Sequence, residues 1–345
     1  MKILIVGLGS IGQRHLRNIY TLLGNKAQIS AYRTKKESIV LTDNMDVEEG
    51  ARLDKEYEYS SFDTLDKALA DSPEVVFICN PTSLHMPVAL AAARRGCHLF
   101  IEKPLSHNLK GIKNLISLVE EKNLVAYVGF QLRFHPCFLQ LKELLKKGKK
   151  GNILSVHIEN GGYLPGWHKW EDYRRSYAAC KNLGGGVVLT QMHEIDYALS
   201  LFGPPENVYA LGGHLSSLEL DVEDVVDVLM EFPYQERKLP TFFHLDYLQR
   251  PPSRKCRVIG EKGTITMDLI SKNVVFKDNN GNEERFEYKD FPRNQLYLDE
   301  LKHFFACIHG EAKPLNDIPE AFKGMKVAMA VKRSMGKRKK VILKY

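Results

Sequence analysis

The chain has 345 residues, 44% hydrophobic and 26% charged, values that suit a soluble globular protein of two domains. No apolar run reaches the roughly 18 residues of a membrane span. The start, MKILIVGLGS, breaks at glycines too early for a signal peptide, so a cytoplasmic protein with no membrane partner is expected. The net charge of +7 lies largely in KELLKKGKK (142–150) and KRSMGKRKKVILKY (332–345). Neither run interleaves aromatics or forms a recognition module, so no nucleic-acid partner is expected, while an anionic cofactor or substrate suits the surplus.

The first third alternates strand and helix patterns. KILIVGL (2–8) reads as a strand, IGQRHLRNIYTLL (11–23) as a helix and AQISAY (27–32) as a second strand. Helices over 62–71, 84–96 and 108–123 alternate with apolar strands over 74–80, 97–103 and 124–131. Strands apolar throughout and separated by helices predict a parallel sheet covered on both faces, a doubly wound nucleotide-binding domain over 1–130. After residue 130 the texture turns strand-rich. Segments 152–163, 206–215, 225–233, 241–249, 255–269 and 273–288, with turns at GEKG and DNNGNE, predict a mostly antiparallel sheet in a second α/β domain, 131–345. Helices near 183–202 and 296–309 are expected to pack on it, and an amphipathic helix over 318–336 to return to the first domain. The six cysteines (79, 97, 137, 180, 256, 307) form no C-x-x-C pair, which predicts reduced thiols and no metal site.

GLGSIG (7–12) is a G-x-G-x-x-G between a strand and a helix. Its glycines permit a tight turn, a close pyrophosphate and close helix packing, with phosphates on the helix N-terminus. The predicted cofactor contacts here are Gly7, Gly9, Ser10, Ile11 and Gly12. At the end of the second strand an acidic residue would hold a ribose 2′-hydroxyl, and an arginine a 2′-phosphate. The chain reads Tyr32-Arg33-Thr34-Lys35-Lys36 with no acid before Glu37, so NADP(H) is favoured over NAD(H), with Arg33 and Thr34 as contacts; otherwise the lysines decorate a loop.

GLGSIGQRH (7–15), ICNPTSLHMPVALAAARRGCHLFIEKPLS (78–106) and QLRFHP (131–136) resemble the Gfo/Idh/MocA oxidoreductases, over nearly the whole chain and in order. YLPGWHKWEDYRRSYAA (163–179), GGGVVLTQMHEIDYALSLFG (184–203) and LDYLQRPPSRKCRVIGEKGTI (245–265) resemble a narrower group associated with surface sugars, including sialic-acid-like acids. The resemblance implies a Rossmann domain, an open-faced second-domain sheet that forms a homodimer or homotetramer, and a sugar between the domains. It implies hydride transfer at a carbinol carbon of a sugar or cyclitol, and a nucleotide sugar or acidic sugar is the expected substrate. The same fold also serves as a non-catalytic dinucleotide-sensing regulator or scaffold, so that reading stays open.

Hydride transfer from an alcohol needs a base for the hydroxyl proton, and a nearby cation helps in both directions. By resemblance Lys103 is that cation, at a strand's carboxyl end, with Pro104 fixing the following bend and Glu102 orienting it. His193 is the acid/base candidate, because its ordinary pKa lies near neutrality. Asp196, three residues on, would orient it or bind a hydroxyl. Many members of the family it resembles carry an Asp four residues before this His; here Leu189 stands there, with Thr190 next, able to hydrogen-bond a hydroxyl but not to act as a carboxylate. Glu194 and Asp196 are possible substitutes. Asn80, Pro81 and His85 are expected near the nicotinamide. Arg133, with His135, would meet an anionic substrate or form an interdomain ion pair. Tyr163, Trp167, Tyr173 and Arg174, with His168 and Trp170, suit sugar stacking and an anion clamp, or else an ordered loop. Arg250 and Arg254 are weaker candidates of the same kind.

Overall fold

The structure is a computed structural model that describes residues 1–34, 39–42 and 46–345. Lys35, Lys36 and Glu37, used above for the cofactor reading, lie outside them. The chain divides into two compact units: Met1–Phe130 with Arg293–Phe322, and Gln131–Pro292 with Lys323–Tyr345.

The first unit holds β1 (Lys2–Val6), β2 (Gln28–Tyr32), β3 (Ser60–Phe62), β4 (Val75–Ile78), β5 (His98–Glu102) and β6 (Ala126–Gly129). Between them run α1 (Ser10–Leu23), α2 (Leu53–Glu56), α3 (Leu65–Ala70), α4 (His85–Arg94) and α5 (Ile112–Glu121). The strands form one parallel sheet in the order β3-β2-β1-β4-β5-β6. Ile3 sits opposite Ile29 on one side and Val75 on the other. Ile3–Ile5 and Val75–Ile78 are fully buried, which is why these strands are apolar without alternation. The order reverses between β1 and β4, the place where such sheets bind dinucleotides.

The second unit contains α6 (Pro136–Lys147), β7 (Ile153–Gly161), α7 (Val187–Thr190), α8 (Met192–Phe202), β8 (Asn207–Gly213), β9 (Val225–Tyr234), β10 (Arg237–Asp246), β11 (Ser253–Gly260), β12 (Gly263–Asp268), β13 (Asn273–Asp278) and β14 (Glu283–Glu287). With β15 (Val341–Ile342) these strands make a nine-stranded sheet, β14-β13-β12-β11-β7-β10-β9-β8-β15. It is antiparallel except where β7 meets β10. β9 buries Val226, Val228, Met230 and Phe232 and turns Asp227 and Leu229 to solvent, the alternation of a sheet covered on one face. α6 and α8 cover the buried face.

The helix expected over 183–202 is interrupted at Gln191, between α7 and α8. The glycines before it answer to crowding. A Cβ on Gly185 would stand 2.4 Å from the Tyr177 carbonyl oxygen, and Gly186, at φ +105°, lies against the Glu223 carboxylate.

The helix expected near 296–309 forms as α9 (Arg293–Ile308), but it covers the first sheet rather than the second. Its Leu301, Phe304 and Phe305 join Phe77, Phe100 and Tyr127 in one core, with the Phe304 ring 5.3 Å from Phe100. Helical spacing reveals which face is apolar, and either sheet offers an apolar partner for it. The last helix, α10 (Ile318–Lys337), contributes Ile318–Phe322 to the first unit and the rest to the second. The expected return to the first domain is thus limited to its first turn.

Candidate active site

β1 ends at Val6 and α1 begins at Ser10, so the glycine motif forms the turn between them. Gly7 has φ +93°, and a Cβ on it would meet the Asn80 amide nitrogen at 3.0 Å. A Cβ on Gly12 would stand 2.0 Å from the Gly7 carbonyl oxygen. Both absences serve packing within the chain. Gly9 differs: a Cβ there has nothing within 4 Å, so its absence leaves open space before the α1 N-terminus. The amides of Ser10, Ile11 and Gly12 belong to the first helical turn, where N–H groups lack intrahelical acceptors. Beside Gly7, the buried Oδ1 of Asn80 has no hydrogen-bond partner. Open backbone donors and an unsatisfied amide oxygen fit a dinucleotide. Pro81 caps the short turn Thr82–Leu84 that leads into α4. At the end of β2, Arg33 donates to the Tyr59 hydroxyl at 3.0 Å, and Thr34 is exposed next to it.

Lys103 follows β5 directly. The Glu102 carboxylate accepts from the Lys103 amide at 3.2 Å, while its other oxygen lies 2.7 Å from Nε2 of His15, a fully buried residue of α1. On the far side of Lys103, His85 is also buried. Its Nδ1 lies 2.9 Å from the Pro104 carbonyl oxygen and its Nε2 2.8 Å from the Asn80 carbonyl oxygen. Burial lowers the His85 pKa, and a neutral ring donates to only one of the two. Both ring nitrogens therefore face backbone. His85 thereby ties the loops after β4 and β5 together.

In the second unit α8 buries three titratable side chains within four residues: His193, Glu194 and Asp196. Arg254 of β11 donates to Glu194 at 2.7 Å, and Asn160 donates to its other oxygen at 3.1 Å. Arg133 grips Asp196 with two bonds of 2.8 and 2.9 Å. Glu194 and Asp196 are therefore paired carboxylates, with Arg254 and Arg133 as their partners. The Arg133 pair lies within the second unit, not between domains. His135 is likewise structural. Its Nδ1 accepts from the Cys137 amide at the start of α6, and burial, with Arg254 and Lys272 nearby, brings its pKa down to about 4. Thr190 accepts from the Tyr247 hydroxyl at 2.7 Å.

The aromatic segment is an ordered loop around a cavity of about 80 Å³, lined among others by Trp167, His168, Glu171, Tyr173 and Tyr177. The Trp167 ring stands edge-on to Tyr247 at 5.3 Å. The Arg250 guanidinium lies 3.9 Å over the Tyr163 ring. Arg174 faces solvent and pairs with Asp172 and Glu219, so no anion clamp forms there. Sequence reasoning assigned no role to His15 or Tyr247, though both fall in the segments that carried the resemblance. Their signal was a polar group at an otherwise apolar position, His15 on the buried face of α1 and Tyr247 after a buried strand.

A glycine cradle at the switch of a 3-2-1-4-5-6 sheet, with a lysine two strands along, defines a dinucleotide-dependent α/β enzyme. Comparison with known proteins agrees. The family model described as "Oxidoreductase family, NAD-binding Rossmann fold" matches residues 1–130, and "Oxidoreductase family, C-terminal alpha/beta domain" matches 142–343. The chain belongs to the Gfo/Idh/MocA oxidoreductase family. It is 26% identical to a myo-inositol 2-dehydrogenase of Thermotoga maritima, over 99% of this chain and 98% of the relative. It is 26% identical to a 2,7-anhydro-N-acetylneuraminate hydratase of Escherichia coli, over 70% of this chain and 64% of the relative. Among solved structures, the WlbA dehydrogenase of Bordetella pertussis, in complex with NADH and UDP-GlcNAcA, shares the fold with a TM-score of 0.81. That likeness carries 19% identity over 100% of this chain and 99% of the other. No helix among the described residues is long and apolar enough to cross a membrane.

Proposed function

We propose that this chain moves a hydride between a nicotinamide dinucleotide and a secondary alcohol or ketone of a sugar, a nucleotide sugar or acidic sugar used in building surface polysaccharide. The observation that carries the reading is the open space at Gly9 in a cradle whose sheet also ends in Lys103. When bound, the dinucleotide supplies or accepts the hydride. Ser10, Ile11 and Gly12 hold its phosphates with backbone amides, and Asn80 offers its Oδ1 to the nicotinamide side. Lys103 hydrogen-bonds the reacting oxygen and steadies its negative charge. His193 holds or releases the hydroxyl proton. Thr190, together with Tyr163, Trp167 and Tyr173 of the aromatic loop, binds sugar hydroxyls and ring faces. A relative named as a 2,7-anhydro-N-acetylneuraminate hydratase and a neighbour bound to UDP-GlcNAcA support the substrate class.

Arg33 and the absence of an acid over Tyr32–Thr34 support NADP(H) as the preferred cofactor. The six unpaired cysteines support a reducing, cytoplasmic setting. Exposed Tyr209, Leu211 and Leu229 on the open sheet face support a homodimer or homotetramer formed through it.

The test is a nicotinamide fluorescence titration with NADPH and NADH, on the native chain and on Arg33→Ala. Tighter NADPH binding that Arg33→Ala weakens at least tenfold is expected. Nucleotide sugars and acidic sugars are then screened for turnover, with Lys103→Ala and His193→Ala as inactive controls. Failure of both dinucleotides to bind overturns the reading. The regulator alternative draws support from Glu194 and Asp196 being paired with arginines, and it predicts dinucleotide binding without turnover.

A further inference from the structure

His15 has no place in the mechanism above, yet its setting is unusual. It is fully buried on α1, among the rings of Phe77, Phe100 and Tyr297, where an apolar side chain would serve packing equally well. Its Nδ1 has no hydrogen-bond partner. Its Nε2 lies 2.7 Å from one oxygen of Glu102, a nearly buried carboxylate whose second oxygen receives the Lys103 amide. An imidazole with Nδ1 bare and Nε2 against a carboxylate is the tautomer that donates from Nε2. The contact spans two elements with different duties: the helix whose N-terminus forms the glycine cradle, and the strand end that presents Lys103.

Resting on the reading proposed above, we infer that His15 is a positioning residue that orients the Glu102 carboxylate and, through it, sets the place and charge environment of Lys103. Two effects follow from one hydrogen bond. It holds the carboxylate in the orientation that keeps its second oxygen on the Lys103 amide. It also leaves Glu102's negative charge less available to the Lys103 side chain, because an acceptor held by a buried donor attracts other cations less. Without His15 the carboxylate turns to the lysine, whose ammonium form becomes more favoured.

The test compares His15→Leu, which keeps volume and loses the donor, with His15→Gln, whose amide nitrogen reaches the Nε2 position. Full-length proteins are labelled with trace acetic anhydride across a pH series, and each lysine's labelling is quantified by peptide mass spectrometry. Lys110 and Lys113 serve as internal references. In His15→Leu, Lys103 labelling at pH 8 falls several-fold relative to the references and its pH profile moves up; in His15→Gln it returns to within about twofold of native. Thermal midpoints are recorded for all three. A lowered midpoint with an unchanged Lys103 profile overturns the inference and leaves His15 as a packing residue. Equal changes in both variants also overturn it, since loss of the donor is then not the cause. NADPH and NADH titrations of the same samples separate the two claims. Native protein that binds no dinucleotide defeats the proposed function, while the Lys103 profile still judges His15.

Discussion

The hydroxyl of Tyr247 donates to Thr190 Oγ1 at 2.7 Å, and both residues are buried. A short hydroxyl pair therefore stands one turn before His193. The Tyr247 hydroxyl stays protonated at all physiological pH, because burial drives its pKa well above the ordinary value. It acts as a fixed donor. Removing it in Tyr247→Phe should cost about 1–2 kcal/mol, read from the denaturant midpoint. Dinucleotide affinity should be unchanged and sugar turnover reduced. Turnover equal to native would show that the pair holds the fold only.

The two ends of the glycine motif should separate cleanly. Gly9→Ala places its methyl in open space at an ordinary φ, so stability should move by less than about 0.5 kcal/mol. NADH affinity should nevertheless fall at least tenfold. Gly12→Ala drives a Cβ into the Gly7 carbonyl and should lower the thermal midpoint by many degrees. Paired calorimetry and fluorescence titration read both outcomes.

Glu194 has no exposure and depends on Arg254. Arg254→Met strands that charge and should cost about 3 kcal/mol in urea unfolding. Adding Glu194→Gln should recover most of the loss, because the amide keeps a polar partner for Asn160 without a buried charge. A double variant no more stable than Arg254→Met would argue against the pair as the cause.

His244 sits between Asp246 and Asp227, 3.0 and 2.7 Å from their carboxylates. The Asp246 bond outweighs burial and, with Asp227, raises its pKa from 6.5 to about 9. A pKa raised by folding stabilises the protein fully below pH 6.5, and that stabilisation disappears as pH climbs through about 9. The stability difference between native protein and His244→Gln should therefore be largest near pH 6 and shrink by pH 10. The imidazole is partly exposed, so the effect is modest and weakens in high salt.

Much of this was legible in the sequence because the signals were local. The parallel sheet, the glycine turn, the Lys103 strand end and the antiparallel second sheet each follow from patterns within a few residues. Pairing across the chain was not legible. Arg133 reads as a loose cation until Asp196 is folded against it, and Arg254 likewise until Glu194 is. His85 follows the same rule: a polar residue at a turn suggests a ligand, and only the fold reveals two carbonyl oxygens already at its nitrogens. The sequence predicts a helix near 296–309, but nothing local says which sheet it covers.

α9 carries a consequence for how the protein is made. Phe304 and Phe305 close the core beneath Phe77 and Phe100, so the sheet that begins the chain waits for residues nearly three hundred positions later. On the ribosome, β1 to β6 emerge before the α9 side chains that complete their core, which arrive only after most of the second unit has been made. A truncation after residue 130, despite ending at a natural seam, should expose that core and aggregate.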